Sequence, residues 1–556
     1  MKRRGIKNQP DEPPSSDSHE EPAGEAGRRQ RAGGANPWYK RGGKPGAAIL
    51  LVAAVVGGAF LATRPGGSDV ATGAATNTPG FSGIDEFVEA EMDAQRIPGL
   101  SLAIVRDDRI VHMRGFGHAD QSGQAVSPQT PFVIGSVSKS VTALAIMQLV
   151  EAGEIKLDAP VSRYIPWFRV ADAKASAEIT VRHLLNQTSG LSTKTGRSFQ
   201  GNGDTTDGAL EKAVRTLRTV ELTGDVGEIH QYSTINYSVL GLIVQIVSEQ
   251  SYESYVQEHI FDPLKMRRSF TSKADAEPYG LAAGHRYWFG RPTATDEPYN
   301  RGLLPAGFLI SSAEDMARYI TAQLNNGMYD GMAVLSPSGT AALHRPAAST
   351  AETAVSYGMG WFVGPVNGIP AVFHQGETFA YHANIVLIPR SKQGVVVLMN
   401  AENSQDLFFR GRMGTVAEGV ASLLEGQEPL PPPSSVSLFV VYAAVFGALC
   451  LQATGMIRSV ARLRQRRAPT GRFGPKVRSG MALTGNLAWG LLVVVLLPKQ
   501  LGAPLVTLAE GLPDLAYALM ASGVVALVWS VVRTVWVYFA FRGSGAKGIR
   551  EPQAVT

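Results

Sequence analysis

Hydrophobic and polar positions along this chain follow three rhythms. From Leu100 to Gly117 apolar and polar residues alternate around Asp107-Asp108, which predicts a β-hairpin. Val141 to Ala152 and Tyr237 to Gln250 carry apolar residues at helical spacing and predict helices. Ala383 to Asn400 reads as two strands around Ser391-Lys392-Gln393-Gly394. Strands at both ends of this region and helices between them predict an α/β sandwich, and no internal repeat is visible. The third rhythm is no rhythm at all. Ala47 to Ala62, Val436 to Ile457, Met481 to Pro498 and Leu515 to Val532 are almost continuously apolar, as membrane spans are. The first is slightly short, so the core of a signal peptide is an alternative; the long tail before it and the lack of a small-residue cleavage site after it favour an uncleaved anchor.

Charge turns these runs into a topology. The 556 residues are 44% hydrophobic and 18% charged, with a formal net charge of +5 that is unevenly spread. Lys40, Arg41 and Lys44 precede the first run. Arg458, Arg462, Arg464, Arg466, Arg467, Arg472, Lys476 and Arg478 lie between the second and third, with no acidic residue among them, and Arg542, Lys547 and Arg550 follow the last. Basic flanks stay in the cytoplasm, so both termini and the basic loop are expected inside and the large middle region outside. The expected organisation is a disordered cytoplasmic tail (1–44), an anchor or signal segment (45–63), a linker (64–82), one folded domain (83–425), a Pro-rich linker (426–435), three transmembrane helices around a basic loop (436–541) and a cytoplasmic tail (542–556). No zinc-finger spacing, helix-turn-helix signal or basic helix appears, so the positive charge points to a lipid bilayer and not to nucleic acid. Cys450 is the only cysteine; an intrachain disulfide and a cysteine-rich zinc site are both excluded.

The candidate chemistry begins at Ser136-Val137-Ser138-Lys139, after the strand-like Phe132-Val133-Ile134-Gly135 and at the opening of a helix. A serine hydroxyl needs a base, and a lysine three residues on shares its helix face. Burial or a neighbouring cation favours the neutral amine that could act as that base. The same four-residue pattern recurs at Ser544-Gly545-Ala546-Lys547 in the terminal tail, where it has no structural setting. Company distinguishes the first match. Tyr232, in Gln231-Tyr232-Ser233-Thr234-Ile235-Asn236-Tyr237, can shuttle a proton between nucleophile and leaving group. His374-Gln375-Gly376 leads into the last strands; its histidine can fix substrate charge or tune Lys139 and Tyr232, and its glycine admits a substrate backbone.

Serine, tyrosine and a histidine-x-glycine strand in this order resemble the class C β-lactamase, D-Ala-D-Ala carboxypeptidase and esterase superfamily, over about Gly83 to Glu425. Accessory segments agree: Ile179 to Leu191, Pro263-Leu264-Lys265-Met266, Ala313-Glu314-Asp315-Met316-Ala317 and Tyr357-Gly358-Met359-Gly360-Trp361. The resemblance implies an antiparallel β-sheet flanked by helices, with an all-helical subdomain. It implies acyl-serine catalysis by Ser136, Lys139 and Tyr232, and an oxyanion hole from the N–H groups of Ser136 and Glu377. His374, Gly376, Glu377 and Thr234 are the expected substrate-binding and oxyanion residues, and no metal or organic cofactor is implied. Lys194-Thr195-Gly196 spells the box that many relatives use in place of histidine-x-glycine, but it precedes Tyr232 and is not in a strand-like segment. Two positions depart from the family: Thr234 replaces a usual asparagine, and Glu377 replaces a small or neutral residue. The first puts ordinary β-lactam or muropeptide handling in doubt; the second favours a cationic or donor group on the substrate. Three spans after such a domain resemble the prodrug-activating peptidases of non-ribosomal peptide pathways, which remove an N-acylated D-amino acid. The alternatives are a cell-wall carboxypeptidase, β-lactamase or esterase, and a sensor acylated once without turnover. The sequence leaves oligomeric state and substrate open.

Overall fold

In a computed structural model, residues 80–197, 203–351, 354–403, 413–431, 436–464, 484–496, 509 and 513–542 are described. The expected N-terminal tail and first span, most of the basic loop and the last residues lie outside them. The folded region opens with helix α1 (Phe81–Gln95) and the hairpin β1 (Gly99–Arg106) and β2 (Arg109–Gly117). Asp107 makes the turn at φ 57°, as the alternation predicts. Helix α2 (Ser138–Glu151) and helix α3 (Ile235–Ser248) follow, close to the helices expected from periodicity. Further on come the short hairpin β3 (His285–Trp288) and β4 (Arg291–Ala294), then helix α4 (Ala313–Leu324). The last strands are β5 (Ser356–Tyr357), β6 (Phe362–Val366), β7 (Ile369–Glu377), β8 (His382–Ile388), β9 (Gln393–Met399) and β10 (Ala401–Glu402). The chain continues through α5 (Gly414–Leu424), α6 (Val436–Arg464) and α7 (Pro513–Arg542).

Eight strands form the main sheet in the order β2-β1-β9-β8-β7-β6-β5, with Ala348–Ser349 at the far edge. Every pairing in it is antiparallel, and the first and last parts of the domain meet where β1 pairs with β9 from Leu100↔Met399 to Arg106↔Gln393. All seven residues of β8 and all seven of β9 are buried. That is why their sequence is a continuous apolar run: both faces are covered. Leu102, Ile104, Val386, Val395 and Val397 pack on one face with Ile84 and Val88 of α1 and Val416 and Val420 of α5. Ala103, Ile385, Leu387 and Val396 join the other core, which includes α2, α3 and α4. The expected turn between β8 and β9 falls earlier than the sequence suggested. It occupies Pro389 to Lys392, and Gln393 and Gly394 already pair with Ile388 and Leu387.

Among the described residues, one helix segment is long and apolar enough to cross a membrane, Pro513–Trp536 within α7. It is longer than the Leu515 to Val532 span expected from sequence. Helix α6 runs for 29 residues over the expected Val436 to Ile457 segment. Gln452 of α6 and Ser522 of α7 exchange hydrogen bonds (Nε2 to Ser522 O and Ser522 Oγ to Oε1, each 3.0 Å), and Trp489 Nε1 donates to Ser522 Oγ at 2.7 Å. The β3–β4 hairpin leans on these helices. Phe289 N donates to Asp514 Oδ2 at 2.7 Å, Tyr442 OH donates to the same carboxylate, and Trp288 stacks on Tyr517.

Candidate active site

Ser136 stands on a 3-10 turn, Gly135–Val137, and α2 begins only at Ser138. The sequence placed the serine at the helix start itself; the tight turn intervenes because Gly135 adopts φ 52°, a conformation open to glycine. Spacing three survives the change, and Lys139 Nζ lies 2.9 Å from Ser136 Oγ. The amine also donates to Ala306 O at 2.6 Å. It has no solvent exposure, and its charge lies over the rings of Tyr232 at 5.0 Å and Tyr237 at 5.9 Å. Burial pushes Lys139 down to about 7 from the ordinary lysine value. The turn is pinned from below: Ser138 Oγ donates to Gly135 O at 2.7 Å and accepts from Leu309 N at 3.1 Å, and Thr142 Oγ1 donates to Pro305 O at 2.6 Å.

Tyr232 reaches Ser136 from the loop before α3, and its hydroxyl interacts with the serine. Burial raises its pKa well above the usual phenol value, with the nearby Tyr357 and Glu377 adding to the effect. Thr234 is the N-cap residue of α3 and lines the same cleft. The Ile179 to Leu191 segment explains itself here. Gln187, at φ 59°, accepts from Ser233 N at 3.0 Å and Asn236 Nδ2 at 2.6 Å, and Ser189 Oγ donates to Asn236 Oδ1 at 2.7 Å. This motif therefore braces the tyrosine loop. The Lys194-Thr195-Gly196 segment is helical (Thr193–Arg197), not a strand, and a Cβ on Gly196 would come within 2.6 Å of Thr234 N.

His374, Gly376 and Glu377 lie on β7, antiparallel to β8 with Glu377 opposite His382. The strand meets the nucleophile turn glycine to glycine. A Cβ on Gly376 would lie 2.0 Å from Ile134 O, and one on Gly135 would lie 2.6 Å from Glu377 N. This approach brings the backbone of Ser136 and of Glu377 to one cleft of about 290 Å³, which Ser136, Tyr232, Thr234, His374 and Glu377 line. For His374 the sequence offered two roles, fixing substrate charge or tuning Lys139 and Tyr232. The histidine is almost wholly buried, and burial together with Lys139 pushes its pKa down to about 3. The imidazole is therefore uncharged and does not fix a substrate anion as a cation would.

Other participants carried little or no signal in the sequence. Ala306 acts through its carbonyl, which no side-chain motif encodes. Glu297 and Glu402 also line the cleft, although each is almost fully buried; Glu297 accepts from Phe379 N at 2.9 Å and Glu402 pairs with His382 at 2.8 Å. Tyr357 was visible only as part of an accessory motif. Its hydroxyl lies 3.2 Å from His374 Nε2. The glycines of that motif let the chain pass against α2, since a Cβ on Gly360 would meet Lys139 O at 2.9 Å.

Comparison with known proteins agrees with this geometry. The staphylococcal protein flp of Staphylococcus aureus strain MW2 is 31% identical over 322 residues, covering 57% of this chain and 62% of that protein. The chain thus matches less than two thirds of the length of the flp relatives. Penicillin-binding protein 4 of Amycolatopsis lactamdurans is 28% identical over 349 residues, 60% of this chain and 89% of that one. Among solved structures, the octameric penicillin-binding protein homologue from Pyrococcus abyssi superposes with a TM-score of 0.56 and 28% identity, over 63% of this chain and 78% of that chain. The sequence model of the Beta-lactamase family matches residues 84–414, most of the chain and all of the cleft, and the protein belongs to that family.

Proposed function

We propose that this protein is a membrane-bound serine hydrolase that opens an amide or peptide bond outside the cytoplasm through an acyl-Ser136 intermediate. The contact between Ser136 Oγ and the buried Lys139 amine carries the reading. A base whose pKa is near 7 is substantially neutral at physiological pH and can take the serine proton as Oγ attacks the carbonyl carbon. Tyr232 keeps its proton in the resting state, because its pKa is high, so it serves as the relay to the leaving nitrogen and not as the initial base. The N–H groups of Ser136 and Glu377 supply the oxyanion hole. The amine leaves, and water returns by the same route to release the acid.

The setting outside the cytoplasm is supported by the basic flanks of the apolar runs and by α7. The bilayer and a small-molecule or peptide substrate are the proposed partners, with no role for nucleic acid. Thr234 in the cleft and the helices after the domain favour an N-acyl-D-amino-acid precursor as substrate. A second reading, a cell-wall carboxypeptidase, β-lactamase or esterase of the same mechanism, is favoured by the name of the Amycolatopsis relative. The full-length protein in detergent, incubated with a library of N-acyl D- and L-amino acid amides, should gain the mass of one acyl group and release the amine repeatedly. Ser136→Ala should lose the adduct and at least about a thousandfold in rate. An adduct that persists in the variant would refute the nucleophile; one burst without turnover would instead indicate a sensor.

A further inference from the structure

We infer that Tyr357 is a positioning residue, whose phenol locks the His374 imidazole in its uncharged Nδ1–H form on the wall beside Lys139. The inference rests on the hydrolase reading for its purpose but on hydrogen-bond chemistry for its content. His374 Nδ1 lies 2.6 Å from Gln375 O. A carbonyl only accepts, so Nδ1 carries the hydrogen. In a neutral ring Nε2 is then a bare acceptor, and the group 3.2 Å from it is the Tyr357 hydroxyl, which must donate. Tyr237 sends its own hydrogen to Leu185 O at 2.8 Å, and its oxygen and the Gln187 amide are the other groups that interact with the Tyr357 hydroxyl.

The position of the Tyr357 ring is set by its surroundings. It has no solvent exposure and packs edge-on against Phe362 at 4.8 Å, Tyr232 at 5.9 Å and His374 at 6.0 Å. The titratable groups around the imidazole are Lys139 from α2, Tyr232 from the loop before α3 and Tyr357 from β5; His230 lies against Tyr357 at 5.5 Å. Lys139 becomes an ammonium when it takes the Ser136 proton. An imidazolium alongside would oppose that uptake, whereas a neutral ring does not. A hydrogen bond donated to Nε2 stabilises the neutral ring, so Tyr357 acts on the base through His374.

The test reads the tautomer directly. In the full-length protein labelled with ¹⁵N-histidine and held in detergent micelles, His374 should show a protonated Nδ1 and an unprotonated, hydrogen-bonded Nε2, unchanged between about pH 5 and 8. Tyr357→Phe keeps the ring and removes the donor. The Nε2 resonance should move towards that of a free lone pair. The value of kcat should fall by about two- to tenfold, with KM within about twofold of wild type. A wild-type spectrum with hydrogen on Nε2 overturns the inference, and needs no variant to be made. So does a Tyr357→Phe variant with an unchanged Nε2 resonance. The spectrum is recorded without substrate, so it stands apart from the Ser136→Ala experiment that tests the hydrolase reading.

Discussion

The Lys139 side chain has no exposure to water, and its lowered pKa carries a consequence for stability as well as for chemistry. The folded value is about 7, against 10.5 for a free lysine. Between these values the unfolded chain holds a proton that the folded chain lacks, so stability rises with pH across that window. Below about pH 7 the full burden is present, with an upper bound of roughly 5 kcal/mol from the shift. Lys139→Met should therefore raise the melting temperature most near pH 6, with the gain shrinking towards pH 10, as scanning calorimetry would record. A gain independent of pH would mean that the amine is not burdened by its burial. Activity should show the complementary sign: kcat/KM rises as pH passes through about 7, because only the neutral amine accepts the serine proton. Glu377 supplies a specificity prediction. Its carboxylate should favour a cationic acyl residue over an anionic one, and Glu377→Gln should narrow that ratio by about tenfold. Equal ratios in the two proteins would rule the carboxylate out as a reader. The grouping of Ser136, Lys139 and Tyr232 was legible because their residue types and order suggest it. The charge state of His374 was not, since it depends on burial and on Lys139, which only the folded chain brings alongside.

The 3-10 turn before α2 and strand β7 meet at their glycines. Gly135 and Gly376 allow the Ser136 turn to lie against β7, the approach on which the proposed oxyanion hole depends. Gly376→Ala forces a Cβ towards Ile134 O, a carbonyl with no freedom to swing aside. The expected result is a loss of about a hundredfold in kcat/KM with a cost of about 1–3 kcal/mol in stability. Acylation kinetics and urea titration measure the two effects separately, and a fully active Gly376→Ala protein would show that the close approach is dispensable. Elements of this size were unevenly readable. The β1–β2 hairpin and α3 followed from alternation and helical spacing over long windows. The 3-10 turn under Ser136 did not, because three residues carry no period and the conformation is set by one glycine. The β3–β4 hairpin was missed for a similar reason: four-residue strands with half-exposed positions have little alternation to show.

At the scale of the molecule, charge around the apolar runs sets the expected topology. It predicts that protease added to intact spheroplasts digests the region between Gly66 and Pro433 and spares tags at both termini. Protection of that region would reverse the topology and remove the envelope setting. The C-terminal helices were visible as apolar stretches, whereas their polar tie of Gln452, Trp489 and Ser522 was not. Neither was the seat they give to the β3–β4 hairpin. Phe289 and Gly290 both have positive φ, at 48° and 70°, so an aromatic residue occupies a turn position that suits asparagine or glycine better. Its backbone N–H meets Asp514, and its ring faces Tyr442 and Phe446. Phe289 is already 57% exposed, and a protein engineer who ends the chain before Pro429 to obtain a water-soluble enzyme would remove these remaining contacts as well. Trp288 and Phe289 would then form an adhesive tip, and the fragment should self-associate on a sizing column. Phe289→Asn suits the turn, since Asn-Gly is what the backbone already describes, and with Trp288→Thr beside it the fragment should elute as a single symmetrical peak.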